Sequence, residues 1–170
     1  MCYGVIYGKG KRSLAEDLEI TVEEAAEIMA QFSAKYPNIA RCKKSIIDRC
    51  RKTGYVETLF GRRRYFRDIF SRNSRRSSAA ERAAVNTVCQ GSAADIMKRA
   101  MIDLHSYLST SSHSAQIVLQ IHDELLLEVP ESEAGVIAQD VRKIMERAVV
   151  LSVPTPVHIM VGKTWADVRN

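Results

Sequence analysis

Gln120-Ile-His-Asp-Glu-Leu125 decides how this chain reads, because an acidic pair, Asp123 and Glu124, stands between two apolar runs. Ile117, Val118, Leu119 and Ile121 precede the pair, and Leu125, Leu126, Leu127 and Val129 follow it. Two strands joined by a tight acidic turn fit that order. Such a hairpin projects hard oxygen ligands to a fixed height above a sheet, the arrangement needed to hold Mg²⁺ against phosphate. Carboxylates are equally ordinary in solvated turns. The choice between the two readings rests on the remaining sequence.

A chain of 170 residues, 46% hydrophobic, is long enough for one core and short for two independent domains. No apolar stretch reaches the length of a membrane span, and Met1-Cys-Tyr-Gly-Val-Ile-Tyr-Gly8 lacks the basic-then-apolar layout of a signal peptide. An intracellular protein with no membrane partner is expected. Cys2, Cys42, Cys50 and Cys89 show no paired metal-ligand spacing, so neither zinc nor a disulfide is assigned. The net charge of +5 is unevenly spread: eight arginines (62, 63, 64, 67, 72, 75, 76, 82) face two acids, Asp68 and Glu81, between residues 62 and 82. Arg62, Arg63 and Arg64 stand beside Tyr65 and Phe66. Guanidinium forks match phosphate oxygens and stack on planar groups, so nucleic acid is the leading partner class.

Tyr3, Ile6 and Tyr7 share a helical face that ends at Gly8 or Gly10. Thr21-Val-Glu-Glu24 has capping-box spacing, and Ala25, Ile28, Met29 and Phe32 recur at helical intervals up to Pro37. A second helix is expected from about 39 to 52, with Ile46, Ile47 and Cys50 inward and Gly54 past its end. Residues 55–66 resemble a short hairpin with a basic return strand, and 70–78 a polar connection that forms the internal boundary. Residues 79–108 read as one long Ala- and Met-rich helix able to bury more than one side. The Asp123 hairpin, a helix from about 132 to 149 and a final strand near 157–161 complete an α+β layer.

Within the long helix Arg82, Asn86 and Gln90, and more loosely Ala93 and Met97, recur at steps of about four, which lines polar groups along one face. Asn and Gln in Ala-rich surroundings suit the reading of base edges or sugar oxygens. Gly91 and Ser92 keep the helix slim, so that another backbone can approach closely.

Three segments, ERAAVNTVCQGSAADIMK (81–98), GYVETLFGRRRY (54–65) and QIHDEL (120–125), together resemble the C-terminal portion of family A DNA polymerases, the polymerase I and theta/nu group, in order and in spacing. Residues 90–95 look closer to the theta/nu branch. The resemblance implies fingers helices in residues 1–77, followed in 78–170 by the distal part of an antiparallel palm sheet with packed helices. It implies that Asp123 is the second catalytic aspartate and binds the metals, and that Glu124 is an accessory carboxylate near the primer end. His122 would lie close to the primer terminus, Gln90 would read the minor groove at the nascent pair, and Asn86 and Arg82 would contact the template. Tyr3 would lie against the sugar of the incoming nucleotide and Tyr7 would stack at the template position. Primer-template DNA, dNTP, two Mg²⁺ ions and the remainder of a polymerase are the implied partners and cofactors, in the nucleus for a eukaryotic theta/nu-like protein and otherwise in the cytoplasm or nucleoid.

The family's first catalytic aspartate and its triphosphate-gripping Arg and Lys have no counterpart in these residues. A polymerase fragment, inactive alone and with an exposed sheet edge, is the expectation. Single-subunit RNA polymerases share a His-Asp hairpin, but the residue after their Asp is typically Ser where this chain has Glu124. A non-catalytic DNA-binding module and a divalent-metal nuclease are the other readings; the nuclease lacks a second acidic cluster. His105, His113 and His158 read as isolated surface or packing residues, Trp165 as an anchor for the terminal segment, and the Glu-rich stretch after Pro130 as a helix N-terminus with favourable dipole placement.

Overall fold

The computed structural model describes residues 9–168. Tyr3, Ile6 and Tyr7 lie outside them. The chain is α+β, with helices α1 (Lys11–Leu18), α2 (Val22–Lys35), α3 (Pro37–Thr53), α4 (Ser74–Thr110) and α5 (Ala134–Arg147). The strands form two separate antiparallel hairpins, β1 (Tyr55–Glu57) with β2 (Arg63–Tyr65) and β3 (Gln116–Ile121) with β4 (Glu124–Glu128). Short 3₁₀ turns cover Arg67–Phe70 and Trp165–Val168. Packing divides the chain at Ser92/Ala93, inside α4 and downstream of the polar connection at 70–78.

In the first unit, Thr21 Oγ1 accepts the Glu24 N–H and the Glu24 carboxylate accepts the Thr21 N–H, so the expected capping box starts α2. Helix α1 was not foreseen. Its KRSLAEDL sequence is only 8 residues long, and it is held by Leu14 and Ala15 packing with Ala25 of α2. Pro37 at the first position of α3 needs no hydrogen-bond partner for its nitrogen, and Gly54 at φ 77° closes that helix with its N–H on the Cys50 carbonyl. Cys50 and Val56 then pack with Phe66, Ile69, Ala80 and Ala84.

Helix α4 starts at Ser74, five residues earlier than expected, because Asn73 Oδ1 accepts the N–H groups of Arg75 and Arg76. In the second unit, Leu104 and Leu108 of α4 and Ile137 and Val141 of α5 bury one face of the β3–β4 hairpin through Ile117, Leu125 and Leu127. A register shift between Ile117 and Leu119 makes Val118 a bulge. The bulge puts Ile117 on the core face and Leu119, opposite Leu126, on the other.

Residues 157–161 do not form the expected strand. Strand geometry needs a ladder, and among the described residues no strand pairs with this segment. Pro154 and Pro156 supply no N–H, while the Val157 N–H donates to Glu146 Oε1 at 3.0 Å. No helix among the described residues is long and apolar enough to cross a membrane.

Candidate functional site

In the first unit the candidate residues lie on α4 and on the β1–β2 hairpin that leans against it. Arg82 and Gln90 are exposed and Asn86 is half-buried, so the expected polar row exists on the helix surface. Asn86 Oδ1 is shielded from solvent and finds no hydrogen-bond partner among the described residues. A shielded acceptor without a donor is costly, and Asp95 Oδ2 on the same helix is shielded likewise.

The hairpin turn is fixed to α4 by a short set of contacts. Ser92 Oγ accepts the Leu59 N–H at 2.9 Å while donating to the Val88 carbonyl at 2.6 Å. Arg62 donates to the Gly91 carbonyl at 3.1 Å, and its own N–H donates to Thr58 Oγ1 at 3.2 Å. The close approach expected at Gly91 and Ser92 is thus made by this turn, whose Gly61 takes φ 78°.

The pleat separates the three adjacent arginines. Arg64 donates to Thr87 Oγ1 at 2.9 Å and lies over the Phe66 ring, so Arg62 and Arg64 are turned toward α4. Arg63 is paired across the hairpin with Glu57, donates to Glu57 Oε1 at 2.8 Å and lies 4.6 Å from the Tyr55 ring centroid. Arg49 of α3 also pairs with Glu57. The Arg63 guanidinium, and then Arg49, hold the Glu57 carboxyl below the usual carboxylate range. Sequence alone treats the arginines as one cluster, whereas in the fold each already has a partner within the protein.

A further basic feature escaped the sequence reading. Helix α3 presents Arg41, Lys44, Arg49 and Lys52 along an exposed groove with a single acid, Asp48. Their spacing of three to five residues was the available signal.

In the second unit, the β3–β4 turn consists of His122 and Asp123; Glu124 is the first residue of β4, paired with Ile121. The acidic pair is therefore divided between a turn and a strand. His122 adopts φ 52°, a left-handed conformation that non-glycine residues rarely occupy, and Gln120 Nε2 donates to its carbonyl at 2.8 Å. His122, Asp123 and Glu124 are all exposed. Alternation places Glu124 on the pleat face opposite Leu125, away from the packed helices. Among the described residues no group of three or more His, Cys, Asp or Glu side chains converges as a metal cluster. Two adjacent exposed carboxylates do fit Mg²⁺, which is commonly held by one or two carboxylates together with phosphate oxygens and water.

Away from the turn, His113 is not isolated: its Nδ1 lies 3.1 Å from Glu133 Oε2, which also accepts the Ser114 N–H at 3.3 Å. Glu133 therefore ties the entry to β3, and it provides no side-chain cap to α5. The Tyr107 hydroxyl donates to Asp140 Oδ2 at 2.8 Å and, with Lys143, lowers the Asp140 pKa. Trp165 is 50% exposed, so half of its surface remains uncovered.

Comparison with known proteins covers the same elements. The sequence profile described as DNA polymerase family A matches residues 1–167. DNA polymerase I of Bacillus caldotenax is 44% identical over 167 residues, 98% of this chain and 19% of its own length. DNA polymerase theta of Drosophila melanogaster is 39% identical over 177 residues, 100% of this chain and 9% of its own. The POL domain of Pol1 from M. smegmatis, solved in complex with DNA primer-template and dNTP, superposes with a TM-score of 0.87 at 43% identity, covering 91% of this chain and 27% of that one. The chain spans about a fifth or less of the length of these curated relatives. With three motifs, their order and the fold in agreement, the chain belongs to DNA polymerase family A.

Proposed function

We propose that residues 1–77 serve as the C-terminal part of the fingers and residues 78–170 as the distal palm of a DNA-directed DNA polymerase that acts in replication or repair. The reaction is template-directed transfer of dNMP from dNTP to a primer 3′ hydroxyl. The observation that carries this reading is the β3–β4 hairpin, which ends in His122-Asp123 and continues into Glu124, in a chain of this family.

Asp123 at the turn is the metal-binding carboxylate, with Glu124 accessory to it. His122 borders the primer terminus, and its left-handed backbone sets the sharp reversal that presents Asp123 at the hairpin tip. Arg82 and Asn86 hold the template and Gln90 reads the minor groove. Arg62, Arg63 and Arg64 add phosphate contacts. Tyr3 and Tyr7 stand at the incoming nucleotide and the template position. Two bound Mg²⁺ ions would supply activation of the 3′ hydroxyl and stabilisation of the leaving pyrophosphate. Asp123 and Glu124 are neighbours on one hairpin and approach the metals from one side only. These 170 residues by themselves are therefore not expected to extend a primer.

The test is Asp123→Ala in a complete polymerase that contains these residues. Primer extension should fall to background while primer-template binding stays within a few-fold. Retained extension would remove Asp123 from the metal site. Incorporation by the 170-residue chain with Mg²⁺ and dNTPs would overturn its proposed inactivity.

A further inference from the structure

The outward face of the first unit combines two features, an aromatic pair and a row of basic residues on α3, to which no role has been assigned. In the β1–β2 hairpin, register places Tyr55 opposite Tyr65 and Glu57 opposite Arg63, so these four side chains share the face turned away from buried Val56. The Tyr55 and Tyr65 rings lie 5.4 Å apart at 56°, and Tyr65 is 67% exposed. An aromatic ring so exposed is poorly explained by core packing. Next to it runs the groove of α3 with Arg41, Lys44, Arg49 and Lys52.

Glu57 joins the two features by pairing with Arg49 on the helix and Arg63 on the strand. Because one carboxylate neutralises part of two guanidiniums, the surface keeps its basic excess while its geometry is fixed. Thr53 Oγ1, at the end of the groove, donates to the Tyr55 carbonyl at 3.0 Å and ties the helix end to the strand. A basic track ending on an aromatic platform is the chemistry of single-strand recognition: cations follow the phosphates and rings stack with unpaired bases. It differs from the Arg82–Asn86–Gln90 row, whose amides suit paired base edges.

We propose that the groove of α3 and the Tyr55–Tyr65 platform form a second nucleic-acid site, specific for a single DNA strand outside the primer-template duplex. The inference rests on the DNA-binding reading above and extends it to a separate surface.

The experiment measures binding of the 170-residue chain to a fluorescent dT 20-mer and, separately, to a blunt duplex of the same length, by anisotropy across a salt series. Lys44→Ala with Lys52→Ala should weaken single-strand binding and reduce the magnitude of its log-log salt slope by roughly 1.4, two phosphate contacts at about 0.7 each. Tyr65→Ala should weaken it roughly tenfold and Tyr65→Phe should restore it, because stacking needs the ring and not the hydroxyl. None of these variants should alter duplex affinity, whereas Arg82→Ala with Gln90→Ala should lower duplex affinity and leave the single strand bound. Circular dichroism melting confirms that each variant is folded. Unchanged single-strand affinity and slope in folded variants overturns the second site, as does a wild-type chain that binds duplex but no single strand. A chain that binds neither overturns the DNA-binding reading as well.

Discussion

Gly91 and Thr58 are in such close contact that a Cβ on Gly91 would lie 2.8 Å from the Thr58 Cγ2 methyl. That methyl belongs to a buried, β-branched side chain whose Oγ1 is already engaged by the Arg62 N–H, so it has little room to turn aside. Gly91→Ala should therefore destabilise the first unit. Overpacking costs about 1–3 kcal/mol, and the better helix propensity of Ala returns about 1 kcal/mol. The expected net loss reaches about 2 kcal/mol, read by denaturant unfolding. A variant at least as stable as the parent would show that the turn does not depend on this contact.

The backbone of His122 makes a second prediction, independent of any role in catalysis. At φ 52° in the first position of a two-residue hairpin turn, glycine is the residue of least strain. His122→Gly should leave the melting temperature unchanged or raised. His122→Val, which places a β-branched side chain in the same conformation, should lose about 1–3 kcal/mol. Equal melting of the two variants would remove the conformational argument. Loss of extension in a complete polymerase carrying the stable Gly variant would then assign the imidazole a functional part.

Asp140 gives a pH dependence whose sign is fixed by its partners. The Tyr107 hydroxyl, then Lys143, favour the carboxylate form and lower its folded-state pKa. Its contribution to stability is complete above the unfolded value of about 3.9 and is lost as pH falls from there through the lowered folded value. Tyr107→Phe should raise the Asp140 pKa toward its ordinary value, followed by NMR titration of the carboxyl carbon. It should also lessen the acid-side loss of stability below about pH 4. An Asp140 titration unmoved by the substitution would assign the shift to Lys143 instead.

The comparison of sequence with fold follows a physical division. Local signals were legible. The Thr21–Glu24 box, the Gly54 stop, both hairpins and the extent of α5 depend on neighbours within a few residues, and each formed near its expected place. The Arg82–Asn86–Gln90 row was readable for the same reason, because a helix repeats every 3.6 residues whatever packs around it.

Long-range partners were not legible. Helix α1 exists because Leu14 and Ala15 meet Ala25, and the segment at 157–161 lacks a ladder because a strand requires a second strand. His113 read as isolated because Glu133, its partner, is 20 residues away.

The sequence by itself determined the family, the carboxylate pair and the polar face of α4, since those lie in contiguous motifs. Only the tertiary structure decided how adjacent residues part company. The pleat turned Arg62 and Arg64 toward α4 and Arg63 toward Glu57 and Tyr55. The hairpin register put Asp123 in the turn and Glu124 in the strand, and the Val118 bulge reset which side chains reach the core. In a strand, face is set by pairing with distant residues, and a shift of one position reverses it.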